Sequence, residues 1–280
     1  VNIALPTAVA TAYVAIKHMF PDLPANAGVM RPIDVRVPEG SLLAAEFPAP
    51  VGGYTETILR MIDVIFSAAA QAAPERVVAN AYGTINALSI AGKRANGQPW
   101  VMFSFFGGGH GGSAESDGLN HGNAPISTAT IPPMEILEAA YPVMFRQWAL
   151  RPDSAGTGAH RGGLGAVYEI ELLEENAEAF LFGERGCFPP QGVAGGAPGA
   201  QNVFHYEQSD GWFQPPLTSK MLGIKLKKGQ AVRLETPGGG GYGAASDRSS
   251  DAVAHDVSQG YLTPEAADAA YGSAWREDGS

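Results

Sequence analysis

The sequence holds one cysteine, Cys187, in 280 residues. A single thiol cannot close an intrachain disulfide or build a cysteine cage around a metal, and it points to a reducing compartment, the cytoplasm. Charge is scarce as well: 16% of residues are Asp, Glu, Lys or Arg, and 28 acidic residues outnumber 18 basic ones. The net charge of -10 repels phosphate backbones and anionic lipid, which argues against nucleic acid or a membrane surface as a partner. No uninterrupted apolar run approaches the roughly 18 residues that a membrane helix needs. The first twenty residues lack the basic start of a secretory signal and read as a buried helix. No phosphate-binding G-x-x-x-x-G-K-[ST] loop, G-x-S-x-G elbow or H-E-x-x-H zinc helix occurs.

What is present is the composition of a folded protein: 45% hydrophobic residues, with 36 Gly and 21 Pro gathered in discrete clusters. Such clusters supply positive backbone dihedrals and rigid corners, so many ordered loops are expected. Residues 7–19 place Val9, Tyr13, Ile16 and Met19 at helical spacing; residues 55–70 do the same for Ile58, Met61, Ile62, Ile65, Phe66 and Ala69. Proline density makes residues 21–50 extended and turn-rich. Two β-runs flank Asn96-Gly97, a hairpin signal. After Pro132-Pro133, the spacing of Met134, Leu137, Tyr141 and Phe145 predicts a third helix of about four turns. Beyond Arg161, residues 166–173 with 179–184, and 202–208 with 212–214, read as consecutive hairpins. A strand at 230–235 and an alanine-rich helix capped by Thr263 follow. The fold class is α+β, antiparallel and β-rich with several packed helices. A seam near 152–165 divides a helical and hairpin part, 1–151, from a β-rich part, 152–280.

The segment 107–112, GGGHGG, satisfies G-x-G-x-x-G, yet the polar stretch after it holds the turn signal Asp117-Gly118 where a dinucleotide fold needs a helix. Its loop gathers His110, Glu115, Asp117, His121 and Asn123, types that suit proton transfer or metal binding, at a spacing that fits turn hydrogen bonds equally well. Glu135 and Glu138, three apart, can share a helix face, and the helix dipole alone accounts for acids there. Residues 153–165, DSAGTGAHRGGLG, offer a local Asp, Ser and His, whereas triads assemble across distant segments. Arg161, framed by glycine, suits either an anionic ligand or a clamp on a buried carboxylate. The glycine loops 183–199 and 235–243 can cradle anions with their amides.

Taken together, PDLPANAGVMRPIDVRVPEGSLL, PAPV at 48–51, MEILEAAYPV, DSAGTGAHRGGLG, GERGCFPPQGVAGG and TPGGGGYG, followed by Arg248, Asp256, Gly260 and Tyr271-Gly272, resemble the hydantoinase B/oxoprolinase family in content and order. The likeness covers nearly the whole chain and about the second half of a complete B-type subunit. It implies a hetero-oligomeric complex in which an A-type subunit binds ATP and Mg and phosphorylates a carbonyl oxygen of a lactam, hydantoin or ketone. Water attacks the activated species in the cyclic-amide hydrolases; carbon dioxide chemistry replaces hydrolysis in the related ketone carboxylases. A divalent metal, Zn or Mn, is expected on the amino-terminal half of the subunit, which also fits a chain that opens at Val1 directly into an apolar helix. After PAPV the family commonly has an Arg near a Thr; Gly52-Gly53-Tyr54-Thr55 stands here and removes a cation from that place. The expected activity is that of an ATP-dependent cyclic-amide hydrolase component with His110, Asp117, Asn123 and Arg161 as active-site wall. A ketone carboxylase subunit and a non-catalytic assembly module are the alternatives.

Overall fold

In the computed structural model, residues 1–124, 126–127 and 130–276 are described. Two antiparallel sheets share one core, which confirms the α+β class. Strands β1 (Ala87–Lys93) and β2 (Pro99–Phe105) form the expected hairpin, closed by Arg94 N donating to Gln98 O, with Gly97 at positive φ. Strands β5 (Asn176–Phe182) and β8 (Lys220–Lys227) extend it to the order β2-β1-β5-β8. The second sheet has the order β3-β4-β9-β6-β7, from β3 (Val143–Leu150), β4 (Ala166–Leu172), β9 (Ala231–Glu235), β6 (Val203–Gln208) and β7 (Gly211–Phe213). Leu88, Ile90 and Met102 of the first sheet meet Ile170, Phe204 and Leu234 of the second. Each aliphatic side chain so buried contributes about 1.5–3 kcal/mol.

Three sequence expectations change. The third helix, α4 (Met134–Ala140), is only seven residues long, and Phe145 lies in β3. Pro142 disfavours helical geometry at Tyr141, and the run after it turns to strand. Glu138 Oε1 then accepts from Phe145 N at 2.7 Å, so this acid ties helix to strand. Secondly, β4 and β5 are consecutive but do not pair: they enter opposite sheets. Only β6 and β7 form the second hairpin. Thirdly, the helix α1 (Leu5–Met19) buries Ala8, Thr11, Ala12 and Ala15, leaving Val9, Tyr13, Ile16 and Met19 half-buried. Small residues there allow close approach to α3 (Tyr54–Ala69), which buries Ile58, Ile62 and Phe66 as its spacing predicts. Short α2 (Ala27–Met30) interrupts the proline-rich segment. Like α2 and β3, the strand β8 and the helix α5 (Ser250–Ser258) had no sequence expectation; α6 (Pro264–Tyr271) carries the expected Thr263 cap, whose side chain accepts from Ala266 N.

Candidate functional site

Between the sheets and α5 lies a platform of glycine-rich loops, residues 79–82, 107–122, 154–165, 190–199 and 237–243. Few of its backbone hydrogen bonds belong to strands. Gly109 N donates to Pro237 O, Gly163 N to His110 O, Gly239 N to Gly163 O, Gly156 N to Gly239 O, and Gly240 N to Asn80 O, all within 2.7–3.0 Å. The segments touch through backbone. A Cβ at Gly239 would lie 1.8 Å from His110 O, and one at Gly109 1.8 Å from Gly163 O, so glycine is the residue that this approach admits. The glycine motifs thus act first as packing surfaces, and 107–112 leads into turns with no helix behind it.

The platform separates the four sequence-selected residues into two groups. In the first, His110 Nε2 donates to Asn123 O at 2.6 Å, Asn123 Oδ1 accepts from Ala124 N at 2.7 Å, and the Tyr82 hydroxyl lies 3.5 Å from the same Oδ1. Burial lowers the pKa of His110 and favours the neutral ring, outweighing the hydrogen bond to Asn123, which raises it. A neutral imidazole here can accept or relay a proton. In the second group, Arg248 grips Asp117 in a two-pronged contact of 2.7 and 2.8 Å, and Asp256 bridges Arg248 at 2.7 Å and Arg161 at 3.0 Å. Arg161 also donates to Asn120 Oδ1 and Gly162 O, and its backbone N donates to Asp117 Oδ1. Burial pushes the Asp117 carboxyl up, but the bonds and charge of Arg248, with Arg161, bring it below the ordinary value.

The clamp joins the 107–122 loop, the 154–165 loop and α5. Its buried guanidinium, Arg161, is committed to a buried carboxylate, while Asp117 and His160 face a hollow of about 380 Å³. Neither Arg248 nor Asp256 was selected from the sequence as a site residue: a lone Arg and a helical Asp carry no local pattern, and only folding brings them to Asp117. His121 belongs to neither group. Its Nε2 faces the Tyr168 hydroxyl and accepts from Trp148 Nε1 at 3.3 Å. With His110, Asp117 and His121 engaged separately, no three His, Cys, Asp or Glu side chains among the described residues are placed to hold a metal ion. The local Asp153, Ser154 and His160 do not form a triad, since Ser154 Oγ donates to Arg151 O and Asp153 accepts from Thr263 N.

This two-sheet fold is shared with part of the longer chains of two ATP-dependent enzymes. Its likeness to the ATP-dependent caprolactamase of Pseudomonas jessenii has a TM-score of 0.83, at 27% identity over 95% of this chain and 48% of that one. Acetone carboxylase shares the fold, with a TM-score of 0.74 at 20% identity over 96% of this chain and 41% of that one. The chain belongs to the hydantoinase B/oxoprolinase family, whose model matches residues 1–245. An uncharacterised protein of Methanocaldococcus jannaschii is 34% identical over 258 residues, 91% of this chain and 44% of that protein. The caprolactamase beta subunit of Pseudomonas jessenii is 31% identical over 265 residues, 89% of this chain and 44% of the subunit. The chain therefore spans less than half the length of these relatives. Among the described residues, no helix is long and apolar enough to cross a membrane.

Proposed function

We propose that this chain is the carboxy-terminal part of the B-type subunit of an ATP-dependent cyclic-amide hydrolase, acting on a substrate phosphorylated by an A-type partner. The likeness to caprolactamase across 95% of the chain carries this reading. In it, ATP and Mg belong to the A-type subunit, and a divalent Zn or Mn ion belongs to the amino-terminal half of the B-type subunit, which packs with this chain in a hetero-oligomer. His110 and Asn123 line the wall facing the activated carbonyl compound, with neutral His110 available to take a proton from attacking water. Asp117 and Arg161, through Arg248 and Asp256, fix the loop that holds them.

The second reading is a subunit of an ATP-dependent ketone carboxylase. Gly52 and Gly53, where the family commonly has a cation nearby, border a hollow of about 320 Å³ with Phe103, Phe180 and Phe182, a setting suited to an uncharged aromatic body. ATP consumption by the reconstituted complex separates the two. Consumption with a lactam and no bicarbonate supports the hydrolase. Turnover that requires both bicarbonate and a ketone sinks it. A purely structural role for this chain fails if Arg161→Ala leaves the complex assembled and abolishes turnover.

A further inference from the structure

His121 is the imidazole of the 107–122 loop and its edge that neither the His110 group nor the clamp uses. It is half-buried and sits at φ 49°, in the left-handed region that carries a steric cost for side chains beyond glycine. Its backbone N–H donates to Leu164 O at 2.8 Å. The ring meets Trp148 edge-on and lies tilted to Tyr168, with centroids 6.0 and 5.6 Å away, and Phe106 sets its edge against Tyr168 at 4.5 Å. Backbone strain held in place by such packing gathers at functional sites.

The contacts of His121 Nε2 decide which ring nitrogen carries the proton. The Trp148 indole N–H can only donate, and it reaches Nε2 at 3.3 Å. The Tyr168 hydroxyl meets the same nitrogen and itself receives bonds from the Gly107 backbone and from Trp148. With the proton on Nε2, three donors would converge on one hydroxyl oxygen that has two lone pairs, and the indole N–H would face another N–H. With Nε2 bare the contacts are matched. The hydroxyl, kept protonated by burial, donates to Nε2, and the ring proton stays on Nδ1, which no described residue engages. Burial also lowers the pKa of His121, so the ring is neutral at pH 7.

His110 holds the opposite tautomer. Its Nε2 donates, because Asn123 O can only accept, and Nδ1 is its basic nitrogen. The two rings ride on segments that pair: Gly108 and Gly122 exchange backbone bonds of 3.0 and 2.7 Å, and a Cβ at Gly122 would lie 2.5 Å from His110 Nε2.

We propose that His121 is the hydrogen-bond donor that complements the base His110, its proton held on Nδ1 by Tyr168 and Trp148 and offered to the negative charge that builds up on the reacting compound. A neutral imidazole N–H can polarise an oxygen in this way. Tyr168 and Trp148 are positioning residues, since they reach the reaction only through His121. The tautomer rests on hydrogen bonding alone; the target of the donor rests on the proposed function.

Magic-angle-spinning NMR of the assembled complex with isotope-labelled histidine reads the tautomer without turnover, the His121 signals being those lost in His121→Asn. Expected at pH 7 is a protonated Nδ1 and a bare Nε2; a protonated Nε2 overturns the proposal. In Tyr168→Phe no hydroxyl stabilises the bare nitrogen, so His121 should take up its second proton at higher pH than in wild type. The titratable groups around it are Tyr168, His110 and Tyr82, and burial alone sets its shift, without a charged neighbour. An unchanged titration also overturns the proposal. Turnover, followed as product formed from whichever of a lactam, or a ketone with bicarbonate, the complex uses, reads the role. His121→Ala should lower kcat about a hundredfold with KM little changed. Asn places an amide N–H where Nδ1 stands and suits a positive φ, whereas Gln places one where Nε2 stands. His121→Asn should therefore recover about tenfold over Ala, and His121→Gln should not. Equal kcat in the two amide variants, or a loss confined to KM, overturns donation from Nδ1; size-exclusion chromatography confirms that each variant assembles. A complex that turns over neither substrate refutes the proposed function, and the NMR result then decides the tautomer by itself.

Discussion

The paired sheets and the glycine platform solve the same problem, the burial of backbone, in opposite ways. In the sheets, ladders satisfy the amides and large side chains such as Leu88, Ile170 and Phe204 fill the space between. In the platform most contacts run through glycine, around a few buried side chains such as Tyr82 and Leu164: segments lie so close that carbonyls occupy the positions where Cβ atoms would stand. Apolar cores tolerate volume-conserving swaps, whereas a contact of backbone on backbone leaves no side-chain atom to exchange. The platform compensates with two arginines and two aspartates at its edge, buried except for the half-buried Asp117, which tie loops distant in sequence to α5.

The largest expected effect comes from that set. Asp256→Ala would leave the buried guanidiniums of Arg161 and Arg248 without their shared carboxylate and should cost about 3–5 kcal/mol in chemical denaturation. A loss below about 1 kcal/mol would show that the clamp is not what holds the platform. Next comes a direct contrast between the two regions. Gly239→Ala adds one methyl group against His110 O and should cost about 1–3 kcal/mol or more, while Ile170→Val removes one methylene from the core and should cost about 0.5–1.5 kcal/mol. Equal costs would erase the distinction drawn between them.

The smallest effect is in pH. Asp117 is half-buried and its pKa in the folded chain is below that of an ordinary aspartate, so the folded state favours its ionised form. Its contribution is present above the unfolded pKa of 3.8 and is lost as pH falls through the lower folded value. Asp117→Asn should therefore flatten the acid limb of a stability profile below about pH 4, with the rest of the curve parallel to wild type. An unchanged acid limb would remove Asp117 from the clamp's energetics.

Much of the fold was legible in periodicity. The α3 spacing, the Asn96-Gly97 hairpin and the Thr263 cap each follow from local rules that tertiary packing did not override. Phe145 misled because helical spacing alone continues a helix through Pro142, and proline restricts the residue before it. The candidate site was half legible. His110 and Asn123 meet, as do Asp117 and Arg161, but nothing in the loop itself shows that these are two separate groups.

By itself the sequence determined composition-level facts: an acidic chain without a cysteine framework or a P-loop, an α+β element order, and the family whose motifs it carries. Those properties are local or additive along the chain. The tertiary structure alone decided that β4 and β5 part into different sheets, and that Arg161 spends its charge on Asp256, 95 residues away. Strand pairing and desolvation depend on which distant segments meet, and the energy that settles both arises only once the chain has closed on itself.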